Sequence, residues 1–151
     1  MKDVELRGAR TEDEGEISAL LARCELPNED IAEHLADFVV AVAENEIVGT
    51  VGLEVIGRSG LLRSLAVAPS MRGFGLAKGL WRRLKKRAEL NGVGELYLLT
   101  TTAEGFFSRL GFETVERDAV PEGVQGTKEY SSLCPTSAVC MRRRIGPPGG
   151  G

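Results

Sequence analysis

The chain has 151 residues, 42% apolar and 27% charged, and carries a formal net charge of −3. That length suits one compact domain with a genuine core, and the acidic balance (pI near 5.3) argues against nucleic acid as the main partner. No apolar run approaches the roughly 20 residues of a membrane span. The N-terminus lacks signal-peptide character, and three cysteines make no disulfide framework, so a reduced, cytoplasmic setting is expected.

In chain order, Val4 to Arg7 alternates as a half-buried strand. Thr11 reads as an N-cap with Glu14 completing a capping box, followed by Ile17, Leu20, Leu21 and Cys24 at helical spacing up to Pro27. A short helix is expected from Asn28 through Ile31 to Leu35. Phe38 to Ala43 and Ile47 to Ile56 form a hairpin around Glu44-Asn45-Glu46, and a glycine-rich turn leads to a third strand, Leu61 to Ala68.

Leu76, Leu80, Leu84 and Ala88 then step by four along a long helix that ends at Asn91-Gly92. Glu95 to Thr101 is the next strand, and a strand-helix-strand crossover implies parallel pairing with the Leu61 strand. Ala103 to Leu110 reads as a short helix with Phe106, Phe107 and Leu110 inward, and Phe112 to Val115 as a strand. Pro121 to Leu133 reads as a long polar loop and Ser137 to Met141 as a last strand. The Gly146 to Gly151 tail is expected to be disordered, leaving one domain over 1–145.

The chemistry concentrates at the end of the Leu61 strand. Pro69 stops the strand, Arg72-Gly73-Phe74-Gly75 makes a turn, and a helix opens at Leu76-Ala77. The first amides of a helix lack intrahelical partners and the helix dipole favours negative charge there, so this arrangement suits a phosphate. Glycines at 73 and 75 allow close backbone approach, and Arg72 can add charge-assisted donors.

Two segments carry a family resemblance. Val67-x-Pro69 with Arg72-Gly73-x-Gly75-x-Ala77 resembles the R-x-x-G-x-G/A motif of the GNAT superfamily of acetyl-CoA-dependent N-acetyltransferases. Ala103-x-x-Phe106-Phe107-x-x-Leu110-Gly111-Phe112 is similar to that family's later aromatic signature. Shorter segments, including Leu98 to Ala103 and Cys134 to Met141, look like small GNAT proteins of arsenic-resistance operons and like amino-acid N-acetyltransferases. The resemblance implies an α/β GNAT fold: a mixed, mostly antiparallel sheet of about seven strands with a central, splayed parallel pair and about four helices.

It also implies acetyl-CoA as co-substrate, no metal, and direct attack by the primary amine of a small, amino-acid-like acceptor. Cofactor contacts then fall to Leu65, Ala66, Val67, Arg72, Gly73, Phe74, Gly75, Leu76, Ala77, Thr101, Phe106 and Phe107. No membrane or nucleic-acid partner is implied, and a homodimer is a family expectation. An alkyl amine titrates near 10 and must lose a proton, for which Glu54 is the preferred base. His34, the only histidine, reads as a solvated residue on a short helix. Phe107 stands where many members carry the tyrosine that protonates the departing thiolate, which leaves Tyr130, a threonine or water for that task. Arg7, Arg63 and Ser64 are candidate contacts for an acceptor carboxylate. Two other readings are a non-catalytic acyl-CoA-binding regulator, from Phe107, and a thiol-based arsenite binder, from Cys134 and Cys140.

Overall fold

The computed structural model describes residues 3–127, 130 and 138–145. Seven strands form one mixed sheet in the order β1-β2-β3-β4-β5-β7-β6. They are β1 (Glu5–Gly8), β2 (Phe38–Ala43), β3 (Glu46–Ile56), β4 (Ser59–Val67), β5 (Glu95–Thr100), β6 (Glu113–Thr114) and β7 (Val139–Arg144). The helices are α1 (Glu14–Arg23), α2 (Ile31–His34), α3 (Leu76–Leu90), α4 (Glu104–Arg109) and α5 (Glu122–Gln125). The α/β class, the strand count and the mostly antiparallel pairing agree with the sequence reading. The crossover through α3 gives the expected parallel pair, with Ser59 to Leu61 in register against Glu95 to Tyr97.

Within the span expected as one domain, the chain gathers into two compact units: Met1–Glu54 with Ser64–Arg87, and Val55–Arg63 with Ala88–Gly151. In the first unit, β1, β2 and the start of β3 pair antiparallel. The β2–β3 turn works because Glu44 and Asn45 both take left-handed backbone (φ 51° and 64°), the geometry of a two-residue hairpin. In the same unit α1 buries Ile17, Leu20 and Leu21, and α3 buries Leu80, Trp81 and Leu84. Arg87 of α3 donates to the Ala36 carbonyl at 2.6 Å and lies 3.4 Å from Asp37.

In the second unit, β5 pairs with β7 along its whole length and β6 covers the other edge of β7. Leu61, Tyr97, Val120, Val124, Tyr130 and Cys140 form one buried cluster in it.

Four local expectations are corrected. Thr11 does not cap α1: it opens a 3₁₀ turn, Thr11–Asp13, and the Arg10 amide donates to Asp13 Oδ2 at 2.7 Å. Asn28 does not cap α2, because its amide reaches back to the Ser18 carbonyl at 3.2 Å and α2 starts after Asp30. In α4, Phe107 is buried but Phe106 and Leu110 are only half-buried. The segment read as a polar loop from Pro121 contains α5, a fifth helix, which buries Val124 while the Gln125 and Gly126 amides donate to the Pro121 and Glu122 carbonyls at 3.1 and 2.9 Å. Leu133, Cys134, Ser137 and the glycine tail lie outside the described residues.

Candidate functional site

After β4, Pro69–Met71 makes one 3₁₀ turn, and Arg72 to Gly75 then leads into α3. Gly73 and Gly75 have φ of 89° and 77°, values that disfavour any side chain, and a Cβ at either would meet nothing within 4 Å. Their backbone therefore faces open space at the start of a 15-residue helix, where the first amides have no helical acceptor. Arg72 braces this turn from one side. Its Nε donates to the Val67 carbonyl at 3.1 Å, and its guanidinium lies 3.6 Å from Cys24 Sγ. Phe74, at the apex, is 66% exposed. Leu65, Leu76 and Ala77 are half-buried, whereas Ala66 and Val67 are buried.

Besides Thr50, four further described groups of the first unit are polar and buried. Glu54, near the end of β3, is 7% exposed, and Asp30 is 3% exposed. His34, one turn after Asp30 on α2, places Nε2 3.5 Å from Asp30 Oδ2 and 3.5 Å from Glu54 Oε1. The imidazole thus sits against two buried carboxylates, and the solvated position expected for it is corrected. Sequence periodicity missed this because the partners come from a four-residue helix and a strand 20 residues on; the i,i+4 spacing of Asp30 and His34 was the available signal. Ser64 is buried on β4 with φ 59°, a left-handed residue inside a strand. Asp13 is the fourth, and it occupies the arginine expected to grip an acceptor. Arg7 Nη1 and Nη2 donate to its two carboxylate oxygens at 2.8 and 3.2 Å. The hydrogen bond from Arg7 holds the Asp13 carboxyl below its ordinary range, with the Arg10 amide adding to it.

The second unit holds the remaining candidates. Arg63 is 2% exposed and ranks among the largest fully buried side chains. Thr101 is exposed, and beside it the Thr100 hydroxyl accepts the Ala103 amide at 2.9 Å. Phe107 stacks edge-on with Phe106 and with Phe112, at centroid distances of 5.2 and 5.5 Å. Tyr130 is buried in the core, where its hydroxyl donates to the Arg117 carbonyl at 2.6 Å. Burial, and then its neighbour Cys140, push its ionisation up to about 12. Burial likewise pushes the Cys140 thiol up. A phenol so held tethers the segment before α5, and a thiol so buried packs a core.

The matches to other proteins follow this geometry. A model of the acetyltransferase (GNAT) domain covers residues 9–128. The chain belongs to this family. An uncharacterised N-acetyltransferase of Chlorobaculum tepidum is 28% identical over 113 residues, which make up 74% of this chain and 70% of that one. Among solved structures, N-acetylglutamate synthase of Neisseria gonorrhoeae, complexed with coenzyme A and N-acetyl-glutamate, superposes with a TM-score of 0.83 at 21% identity. That match covers 97% of this chain and 36% of the synthase, so this GNAT chain spans about a third of that relative. Rv2747 of Mycobacterium tuberculosis, in complex with CoA and NLQ, gives 0.79 at 25% identity over 93% of this chain and 98% of its own.

Proposed function

We propose that this GNAT protein transfers the acetyl group of acetyl-CoA to the primary amine of a small, amino-acid-like acceptor. The observation that carries the reading is the Arg72 to Gly75 turn. Two left-handed glycines expose their backbone to open space where α3 begins, so a pyrophosphate can approach amides that no side chain shields. The coenzyme A in the related structures supports the same choice of co-substrate. Leu65, Ala66 and Val67 lie just upstream and supply backbone groups for the pantetheine arm, Arg72 holds the turn, and Phe74, Leu76 and Ala77 flank the phosphates.

Chemistry then needs a base. The ammonium of the acceptor gives one proton to the Glu54 carboxylate, and the free amine attacks the thioester carbon. The tetrahedral intermediate collapses by breaking the carbon–sulfur bond, and its nitrogen releases the second amine proton to solvent water. The CoA thiolate resembles a cysteine thiolate, whose pKa is about 8.5, so water suffices to protonate it and no tyrosine is required at Phe107. The engagement of Tyr130 with Arg117 favours water over that phenol. Glu54 and the residues from Leu65 to Ala77 all belong to the first unit.

The deciding experiment measures CoA-thiol release from acetyl-CoA with a panel of L-amino acids and simple amines. Turnover is expected with at least one acceptor, and Glu54→Gln should lower kcat by about 10²–10⁴ while leaving acetyl-CoA affinity unchanged. Tight acetyl-CoA binding without turnover on any acceptor would favour the regulator instead. The arsenic-linked acceptor and the homodimer remain parts of the resemblance, to be checked by including arsenical amino acids in the panel and by light scattering.

A further inference from the structure

We propose that Asp30, His34 and Glu54 form a binding site for a divalent transition-metal ion of the zinc type. The three donor atoms, Asp30 Oδ2, His34 Nε2 and Glu54 Oε1, lie within 4.8 Å of one another. Both carboxylates stand 3.5 Å from the imidazole nitrogen. That separation is longer than a good N–H···O hydrogen bond, about 2.9 Å. It is close to the edge of a tetrahedron around an ion with bonds of about 2.0–2.1 Å, roughly 3.4 Å.

The scaffold suits ligation. Asp30 and His34 are four residues apart, so one helical turn presents both to the same side, and the strand residue Glu54 closes the third corner. The Asp30 and Glu54 side chains are 2% and 8% exposed, whereas His34 is 29% exposed, giving an ion a way in past the imidazole. One imidazole with two carboxylates selects zinc-like ions over magnesium or calcium, which prefer all-oxygen shells. Three protein ligands leave a fourth position for water.

Binding itself is independent of the acetyltransferase reading. Its consequence rests on that reading: a metal held by the Glu54 carboxylate occupies the proposed base, so the ion would act as a reversible inhibitor of transfer.

The chain has one histidine, so its imidazole signals in a long-range ¹H–¹⁵N spectrum need no assignment. Zinc sulfate titrated into the full-length protein should move those signals to an end point at one equivalent, and EDTA should restore them. Affinity by calorimetry should fall at least about tenfold in His34→Gln and in Glu54→Gln. Zinc that leaves the imidazole signals of the unaltered protein in place overturns the site, whatever the variants do, because the thiols alone would then be binding. Equal affinity in folded His34→Gln, matched by circular dichroism, overturns it too. If zinc binds as expected yet Glu54→Gln keeps full turnover, the metal site stands and the base assignment falls.

Discussion

The Arg72 guanidinium folds back onto the strand it follows, donating from Nε to the Val67 carbonyl at 3.1 Å. The side chain that the motif offers to a phosphate therefore spends one donor on the shape of the turn. Arg72→Ala should raise the acetyl-CoA dissociation constant about tenfold by loosening the turn. Arg72→Lys should recover little, since a single ammonium cannot keep a planar fork on two partners. Calorimetry with acetyl-CoA measures both, and an unchanged constant in the alanine variant would remove the bracing role.

Gly75 tests the anion site itself. With φ 77° and open space beyond, Gly75→Ala meets no clash and costs only backbone strain, about 1 kcal/mol. Gly75→Glu adds a like charge where the pyrophosphate would sit. Acetyl-CoA should raise the melting temperature of the parent and of the alanine variant, and should leave the glutamate variant unmoved.

Gly52 packs directly against the Phe38 ring. A Cβ on Gly52 would lie 2.4 Å from a Phe38 ring carbon, and Phe38 is fully buried. Gly52→Ala should cost about 1–3 kcal/mol of overpacking. Phe38→Leu should offset part of that cost in the double variant, a coupling that urea denaturation of all four proteins would detect.

Asp13 makes stability depend on acid. Its folded carboxyl is held below its ordinary value, chiefly by the hydrogen bond from Arg7, so the folded state favours the ionised form. The resulting stabilisation is present above the unfolded carboxylate range, near 4, and is lost as pH falls through the lower folded value. Asp13→Asn should therefore cost about 1–3 kcal/mol at pH 7 and much less near pH 2, by denaturant titration at the two pH values.

Tyr130 makes stability depend on alkali in the opposite direction. Its folded value of about 12 lies above the ordinary tyrosine value, so its contribution is complete below pH 10 and disappears as pH rises from 10 to 12. Tyr130→Phe should remove that decline together with the bond to Arg117, at a cost of about 1–2 kcal/mol, and leave kcat unchanged. A large fall in kcat at unaltered melting temperature would return the phenol to the chemistry.

Strand and long-helix positions were legible because their signals are periodic. The Leu76 to Ala88 stripe predicted α3 to its first residue, and the glycine pattern predicted the turn before it. The misplacements arise where one side chain overrides a local preference. Asp13, held by Arg7, accepts the Arg10 amide, so the turn starts one residue before a Thr11 cap would place it, and Asn28 bonds to α1 in preference to starting α2. The Pro121 to Leu133 segment misled because its composition is polar while Val124 and Tyr130 within it are buried. For His34 only the Asp30 partner was within reach of a spacing rule, four residues earlier, whereas Glu54 is brought to it by packing between a strand and a helix.

The optical residues are divided between the two units. Trp81, the only tryptophan, is buried on α3 in the first unit, and both tyrosines, Tyr97 and Tyr130, are buried in the second. Fluorescence excited at the red edge of the indole band thus reports on one unit, and tyrosine absorbance on the other, with no label added. Coincident denaturation curves from the two would establish a single cooperative transition, and separated midpoints would give each unit a stability of its own.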